Sequence, residues 1–188
     1  MVCWRLSMEK STGIIIRLTK LTESSLIVHW CTEEHGLIKT VAKGARRPKS
    51  TFAGKIDLFF EAEINWVRSR KTELHTLREL SVTNYRESLR KRYADTVAAS
   101  YFGELLAHVV ELDHPEPELF DLLRRGLGYL AGQGADLRGV LHFEHELARI
   151  MGIAHSRTSA ALAIEQAFGS LPRARAACLH ATEGNGQS

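Results

Sequence analysis

The segments TGIIIRL (Thr12–Leu18), SLIVHWCT (Ser25–Thr32) and GLIKTVAKG (Gly36–Gly44) decide the fold. They are short, rich in Ile, Val, Trp and Thr, partly alternating, and separated by turn-prone pieces at residues 22–25 and 33–36. That is the signature of consecutive β-strands. IDLFFEAEINWV (Ile56–Val67) and ELHTLRELSV (Glu73–Val82) continue it, giving five strands in about 70 residues. A small barrel is expected, because closure removes the exposed edges that such strands would otherwise present.

Outward from the strands the period changes. From Asn84, Tyr85, Leu89, Tyr93, Val97, Tyr101 and Leu105 recur every four residues, which predicts one long amphipathic helix, with Asn84 and Glu87 as its capping box. A second helix is expected after Pro115 and Pro117, running through Leu119, Leu122, Leu123, Leu127 and Leu130 to Gly132 and Gly134. A third follows Asp136 as N-cap, with Leu137, Val140, Leu141, Leu147 and Met151 inward, and a weaker fourth spans 156–168. The expected organisation is α+β: a five-stranded OB-fold barrel over 1–82 packed on a helical domain over 83–170, with a disordered tail over 171–188.

Composition narrows the class. The 188 residues are 44% apolar, enough for real cores. No run approaches the roughly 18 to 20 apolar residues of a membrane span, and MVCWRLSMEKS lacks a signal-like apolar run, so a cytoplasmic protein is expected. Cys3, Cys31 and Cys178 form no CxxC pair, which argues against a disulfide framework or a cysteine zinc site. Charge is uneven: residues 1–80 carry 14 Lys and Arg against 9 Asp and Glu, residues 81–188 carry 11 against 13. Anion contact therefore belongs to the first half.

Within it, Lys39, Lys43, Arg46, Arg47, Lys49 and Lys55 follow one another with no acidic residue between them, and Arg68, Arg70 and Lys71 make a second basic turn. A solvated basic loop is the plainer account, but six cations without an acid favour a polyanion site. Candidate rings for stacking bases are Trp30, Phe52, Phe59, Phe60 and Trp66, with Phe59 and Phe60 on opposite faces of a strand. In the second half Arg90, Lys91 and Arg92, or Arg124 and Arg125, offer cations to an acidic partner tail beside an apolar groove.

Other chemistry is weakly supported. His142 and His145 share a helix face beside Glu144 and Glu146, yet HExxH is absent and exposed histidines are the simpler account. Phosphate-binding GxxxxGK[ST], GxGxxG and GxSxG motifs are missing, Cys31 reads as a structural thiol despite His29 and His35 nearby, and no enzymatic activity is expected.

The series GIIIRLTKLTESSLIV (Gly13–Val28), TEEHGLIKTVAKGARRPKS (Thr32–Ser50), FAGKIDLFFEAE (Phe52–Glu63) and ELHTLRE (Glu73–Glu79) resembles the N-terminal OB-fold domain of the bacterial RecO family. HFEHELARIMG (His142–Gly152) is similar to the FE-x-x-L-x-x-x-x-G helix of that family's helical domain. The resemblance implies a recombination mediator that binds single- and double-stranded DNA, anneals complementary strands, and associates with RecR. It also implies binding to the acidic C-terminal tail of single-stranded-DNA-binding protein, so helping RecA onto coated strands. No cofactor is implied, and the location is the cytoplasm, with the nucleoid. On this chain Lys39, Lys43, Arg46, Arg47, Lys49 and Lys55 would be the DNA-facing cations. After the FE helix the sequence departs from the family pattern, running through AHSRTSAALAIEQAFGSLPRARAACLH without paired cysteines, so a zinc site is not expected there.

Overall fold

A computed structural model describes residues 8–183. Five strands, β1 (Met8–Lys20), β2 (Leu26–Thr32), β3 (Gly36–Ala42), β4 (Glu61–Val67) and β5 (Leu74–Asn84), close into a barrel in the order β1-β2-β3-β5-β4. All pairings are antiparallel except β3 with β5. Alternation does part of the sorting. Ile15, Val28, Trp30, Ile38, Ala42, Ile64, Trp66 and Leu77 form the interior; of their strand neighbours, His29, Lys39 and Glu63 reach the surface, whereas Ile14, Cys31 and Leu37 are buried as well. The two indoles can be buried completely because each N–H has an acceptor: Trp30 Nε1 donates to Thr40 Oγ1 at 2.9 Å and Trp66 Nε1 to Ser11 Oγ at 3.1 Å.

The expected fourth strand starts five residues later than predicted. Ile56–Phe60 is a turn in which Phe59 takes φ 67 and Phe60 N–H donates to the Asp57 carbonyl at 3.3 Å. This positive φ lets Phe59 and Phe60 both stay buried instead of splitting between two faces. The barrel unit also takes in residues 112–117. There Asp113 N–H donates to the Leu37 carbonyl at 2.8 Å, and Gly36, at φ 67, is required because a Cβ would collide with the His114 carbonyl oxygen.

Among the described residues, the second unit comprises 86–111 and 118–183. Here the long helix predicted from Asn84 is broken. Asn84 ends β5, Arg86 is left-handed at φ 47, a 3-10 turn spans Glu87–Arg90, and Arg92 is extended before α1 (Tyr93–Val109) begins. Asn84 is thus a strand residue rather than the cap of a helix. The four-residue periodicity survived the break because Leu89, Tyr101 and Leu105 are all fully buried, but Tyr93 is 77% exposed.

α2 (Pro117–Gly132) and α3 (Leu137–Ile150) follow their sequence signals, Asp136 capping α3 by accepting from Gly139 N–H at 2.7 Å. The inward face of α3 differs from expectation. Leu137 and Leu141 are exposed, and Val140, Phe143, Glu144 and Leu147 point in. α4 (Ala160–Phe168) is capped by Ser159.

Residues 174–183, expected to be disordered, form α5 (Ala174–Glu183). Arg175 binds Glu144, while Cys178 and Thr182 are buried, so this segment has the packing that its polar composition concealed. Among the described residues no helix is long and apolar enough to cross a membrane.

Candidate nucleic-acid interface

The basic loop between β3 and β4 is an ordered chain of turns. Arg47 N–H donates to the Gly44 carbonyl, Ser50 N–H to Arg47, Ala53 N–H to Ser50 and Lys55 N–H to Phe52, all at 3.0–3.1 Å. Phe52 fixes the middle by inserting into the barrel core, where Ala45, Ile56 and Leu58 also pack. The start of the loop is tied to the β1–β2 turn: Arg46 N–H donates to the Ser24 carbonyl at 3.0 Å, Arg46 Nη1 to the Glu23 carbonyl at 3.3 Å, and Gly44 N–H to Ser25 Oγ at 3.3 Å. With the backbone so held, the cationic side chains project outward.

Lys43, Arg46, Arg47, Lys49 and Lys55 are all exposed, and among the described residues none of them forms an ion pair. Five neighbouring cations without a carboxylate repel one another, a cost that a row of phosphates would remove. Lys39 is different: it lies on β3, half-buried, with Glu73 at 3.9 Å.

Arg68 does not join this patch. Its Nη1 donates to Asp113 Oδ1 at 2.8 Å, Nη2 lies 3.4 Å from His35 Nδ1, and the guanidinium sits 4.9 Å from the Trp66 ring centre. The same carboxylate binds His75 Nε2 at 3.0 Å. Because Ser69 N–H donates to His75 Nδ1, the neutral imidazole carries its proton on Nε2 and is the donor to Asp113. This network fastens residues 112–117 within the barrel unit, a structural duty for Arg68. Arg70 is exposed on the β4–β5 turn.

The proposed stacking rings are corrected as a group. Trp30, Phe52, Phe59, Phe60 and Trp66 are all buried, at 7% exposure or less, so none offers a face to a base. Their strand and loop positions alternate toward the core, and a barrel this small needs every large ring to fill it. Among the described residues, Tyr85, 47% exposed and edge-on to Phe60 at 5.0 Å, is the aromatic that the barrel unit does present.

In the helical unit the arginines singled out from sequence separate. Arg90 and Arg124 are exposed. Arg92 Nε donates to Asp95 Oδ2 at 2.8 Å and its guanidinium lies so close over Gly134 that a Cβ there would collide with it. Arg125 pairs with Asp121 at 2.7 Å across one helical turn. A pocket of about 560 Å³ lies beside it, with buried Phe102, Leu122 and Phe143 beneath exposed Arg125, Arg138 and His142. Phe102 and Phe143 stack with centres 3.8 Å apart, and Gly126 is needed above them, since a Cβ would stand 2.9 Å from the Phe143 ring. Arg138, which sequence reasoning missed, completes the cationic side.

A buried polar cluster was also missed. Glu144, 1% exposed, accepts from Tyr101 Oη at 2.6 Å and from Arg175 Nε and Nη2 at 2.7 and 3.2 Å. Burial first, and then the Glu144 carboxylate, push the Tyr101 hydroxyl far above its ordinary range, so it is a permanent donor. The signal was present: in Val140, Glu144, Leu147, Met151 a carboxylate occupies an apolar stripe. Burial pushes the Cys31 and Cys178 thiols up to about 12 and about 11, leaving both protonated and inert; Cys3 lies outside the described residues. His142 and His145 are exposed, and among the described residues no group of three His, Cys, Asp or Glu side chains is placed to hold a metal ion.

A closed five-strand barrel followed by a helical unit matches, part for part, two models of one family. Residues 6–86 match the model described as Recombination protein O N terminal, and residues 90–169 that described as Recombination protein O C terminal. The class is thus that of proteins built from these two parts of one family. Among curated proteins, the DNA repair protein RecO of Rhodopirellula baltica is 31% identical over 140 residues, 74% of this chain and 52% of that one. RecO of a Cyanothece species is 35% identical over 121 residues, covering 64% and 41%, and that of Actinobacillus pleuropneumoniae serotype 7 is 31% identical over 141 residues, covering 74% and 57%. The chain belongs to the RecO family. It spans about half the length of the curated relatives it matches.

Proposed function

We propose that the chain binds single- and double-stranded DNA through Lys39, Lys43, Arg46, Arg47, Lys49 and Lys55, with Arg70 beside them, and anneals complementary strands. The observation that carries this reading is the ordered loop with five exposed cations and no ion pair among the described residues. Annealing needs a surface that lowers the repulsion between two polyanions and no covalent step, so an enzymatic centre is not required. In this reading DNA contact falls to residues 1–82 and partner contact to residues 83–170. The protein works on nucleoid DNA in the cytoplasm, helping RecA onto strands coated by single-stranded-DNA-binding protein, with RecR as associate.

The triple substitution of Lys43, Arg46 and Arg47 to Ala tests it. Binding of a labelled single-stranded oligonucleotide should weaken, and its log–log salt slope should flatten by about 0.7 for each phosphate no longer neutralised, or about 2 for three. Annealing of protein-coated complementary oligonucleotides should slow in parallel. Unchanged affinity and slope would remove the loop from the interface.

A second reading makes the helical unit the working part, docking the acidic tail of a partner. The pocket favours it: buried rings for an apolar anchor lie below Arg125, Arg138 and His142 for carboxylates. Anisotropy of a labelled acidic peptide with an apolar end separates the two. Saturable peptide binding without any DNA binding would favour the docking module over the mediator.

A further inference from the structure

The strand register places a second set of cationic groups beside the loop. Arg17 on β1 is the cross-strand partner of His29 on β2, and His29 is the partner of Lys39 on β3. The three side chains therefore stand in one row across the outside of the barrel, spanning about 10 Å at the usual strand spacing. The row meets the loop: Ile38 and Ala42 point into the core and Thr40 accepts from the Trp30 indole, so Lys39 and Val41 share the outward face of β3, and Lys43 is the first residue of the loop that follows it.

A charge on His29 would work against the barrel, because it would stand directly opposite a cation on either side, and like charges so placed destabilise a sheet. From β1 His29 meets Arg17 and the Thr19 hydroxyl, 3.3 Å from its Nε2; from β3 it meets Lys39, whose nearest carboxylate is Glu73 at 3.9 Å. Arg17 is exposed and, among the described residues, forms no ion pair. Burial, and then Arg17 and Lys39, hold the imidazole down at about 4, so it is neutral at pH 7.

We infer that the DNA path continues from the loop across β1, β2 and β3, with a backbone phosphate seated in the row Arg17, His29, Lys39. This rests on the reading of the loop as a DNA contact. A phosphate there reverses the electrostatic effect of the two neighbours, since it offsets both cations and stabilises an imidazolium between them. Binding then takes up a proton at His29, and affinity rises on acidification.

Arg17→Ala, Arg17→Lys and His29→Gln in the full chain test the inference, with labelled oligo-dT as probe across salt concentration and from pH 7.5 to 5.5. Arg17→Ala should flatten the salt slope by about 0.7, Arg17→Lys should restore it, and His29→Gln should remove a pH-dependent gain present in the native protein. Normal slope in Arg17→Ala, or an unaltered pH profile in His29→Gln, overturns the row. If the loop triple variant meanwhile loses binding, the loop contact stands and the path ends there. If the triple variant also binds normally, it is the DNA reading of the loop that has failed. Removing Arg17 deletes a repulsion, so its melting temperature should not fall, and weakened binding in a normally melting Arg17→Ala is a surface effect.

Discussion

In the loop over residues 43–55, Lys43, Arg46, Arg47, Lys49 and Lys55 project from a fixed backbone and find no carboxylate among the described residues. In the helical unit Arg92, Arg125 and Arg175 each hold one, and Glu144 and Asp95 beneath two of them are buried. Net charge hides this contrast, because both regions are rich in Arg and Lys. What separates them is whether the fold supplies the counter-charge. Where it does, the cation is held within the fold; where it does not, the counter-charge is left for a ligand.

The contrast breaks first at Glu144. Glu144→Ala leaves Arg175 and the Tyr101 hydroxyl without their acceptor in a buried site, and removing one partner of a buried ion pair costs about 3 to 5 kcal/mol. Denaturant unfolding measures the destabilisation, and hydrogen exchange should place it in α1, α3 and α5. A value under about 1 kcal/mol, the range of exposed pairs, would mean that this cluster is no more structural than a surface contact.

Asp95→Ala is the next test. Asp95 takes Arg92 Nε at 2.8 Å and the Ala135 N–H at 2.7 Å, and it is 1% exposed. A hydrogen bond to a charged group carries about 1.5 to 3 kcal/mol, and the half-exposed Arg92 adds at most about 1 kcal/mol, so a destabilisation of about 2 to 4 kcal/mol is expected. Arg92→Ala should cost less, because Arg92 is half exposed and the Ala135 bond survives. If the two variants cost the same, the ion pair rather than the buried amide bond dominates.

The sequence made the barrel legible because its signal is local: the strands are rich in β-branched and aromatic residues, and all the connections between them but the β3–β4 loop are short. It misplaced what depends on a few backbone angles. IDLFF has the composition of a strand, but Phe59 at φ 67 makes it a turn. The apolar period from Tyr85 to Leu105 is real in burial at Leu89, Tyr101 and Leu105, yet extended Arg92 interrupts the helix within it. The cationic loop was legible because it depends on the absence of acids nearby in sequence. The partner of Arg68 was not legible, because its acid, Asp113, lies 45 positions away. α5 was missed for the same reason, since Arg175 and Glu144 are 31 apart.

The smallest expected effect is also the most discriminating. Replacing Lys43, Arg46 and Arg47 by Ala should change the unfolding free energy by less than about 0.5 kcal/mol, the usual range for surface positions. Arg46 alone has a bond to lose, its Nη1 hydrogen bond to the Glu23 carbonyl at 3.3 Å, and alanine retains the backbone bond to Ser24. Relief of repulsion among the three cations opposes even that cost. A variant that is folded and equally stable but binds DNA weakly is impaired only in its hold on phosphates. If instead the triple variant were destabilised by more than about 1 kcal/mol, these side chains would belong with Arg92 and Arg175 as structural cations, and the difference between the two regions would disappear.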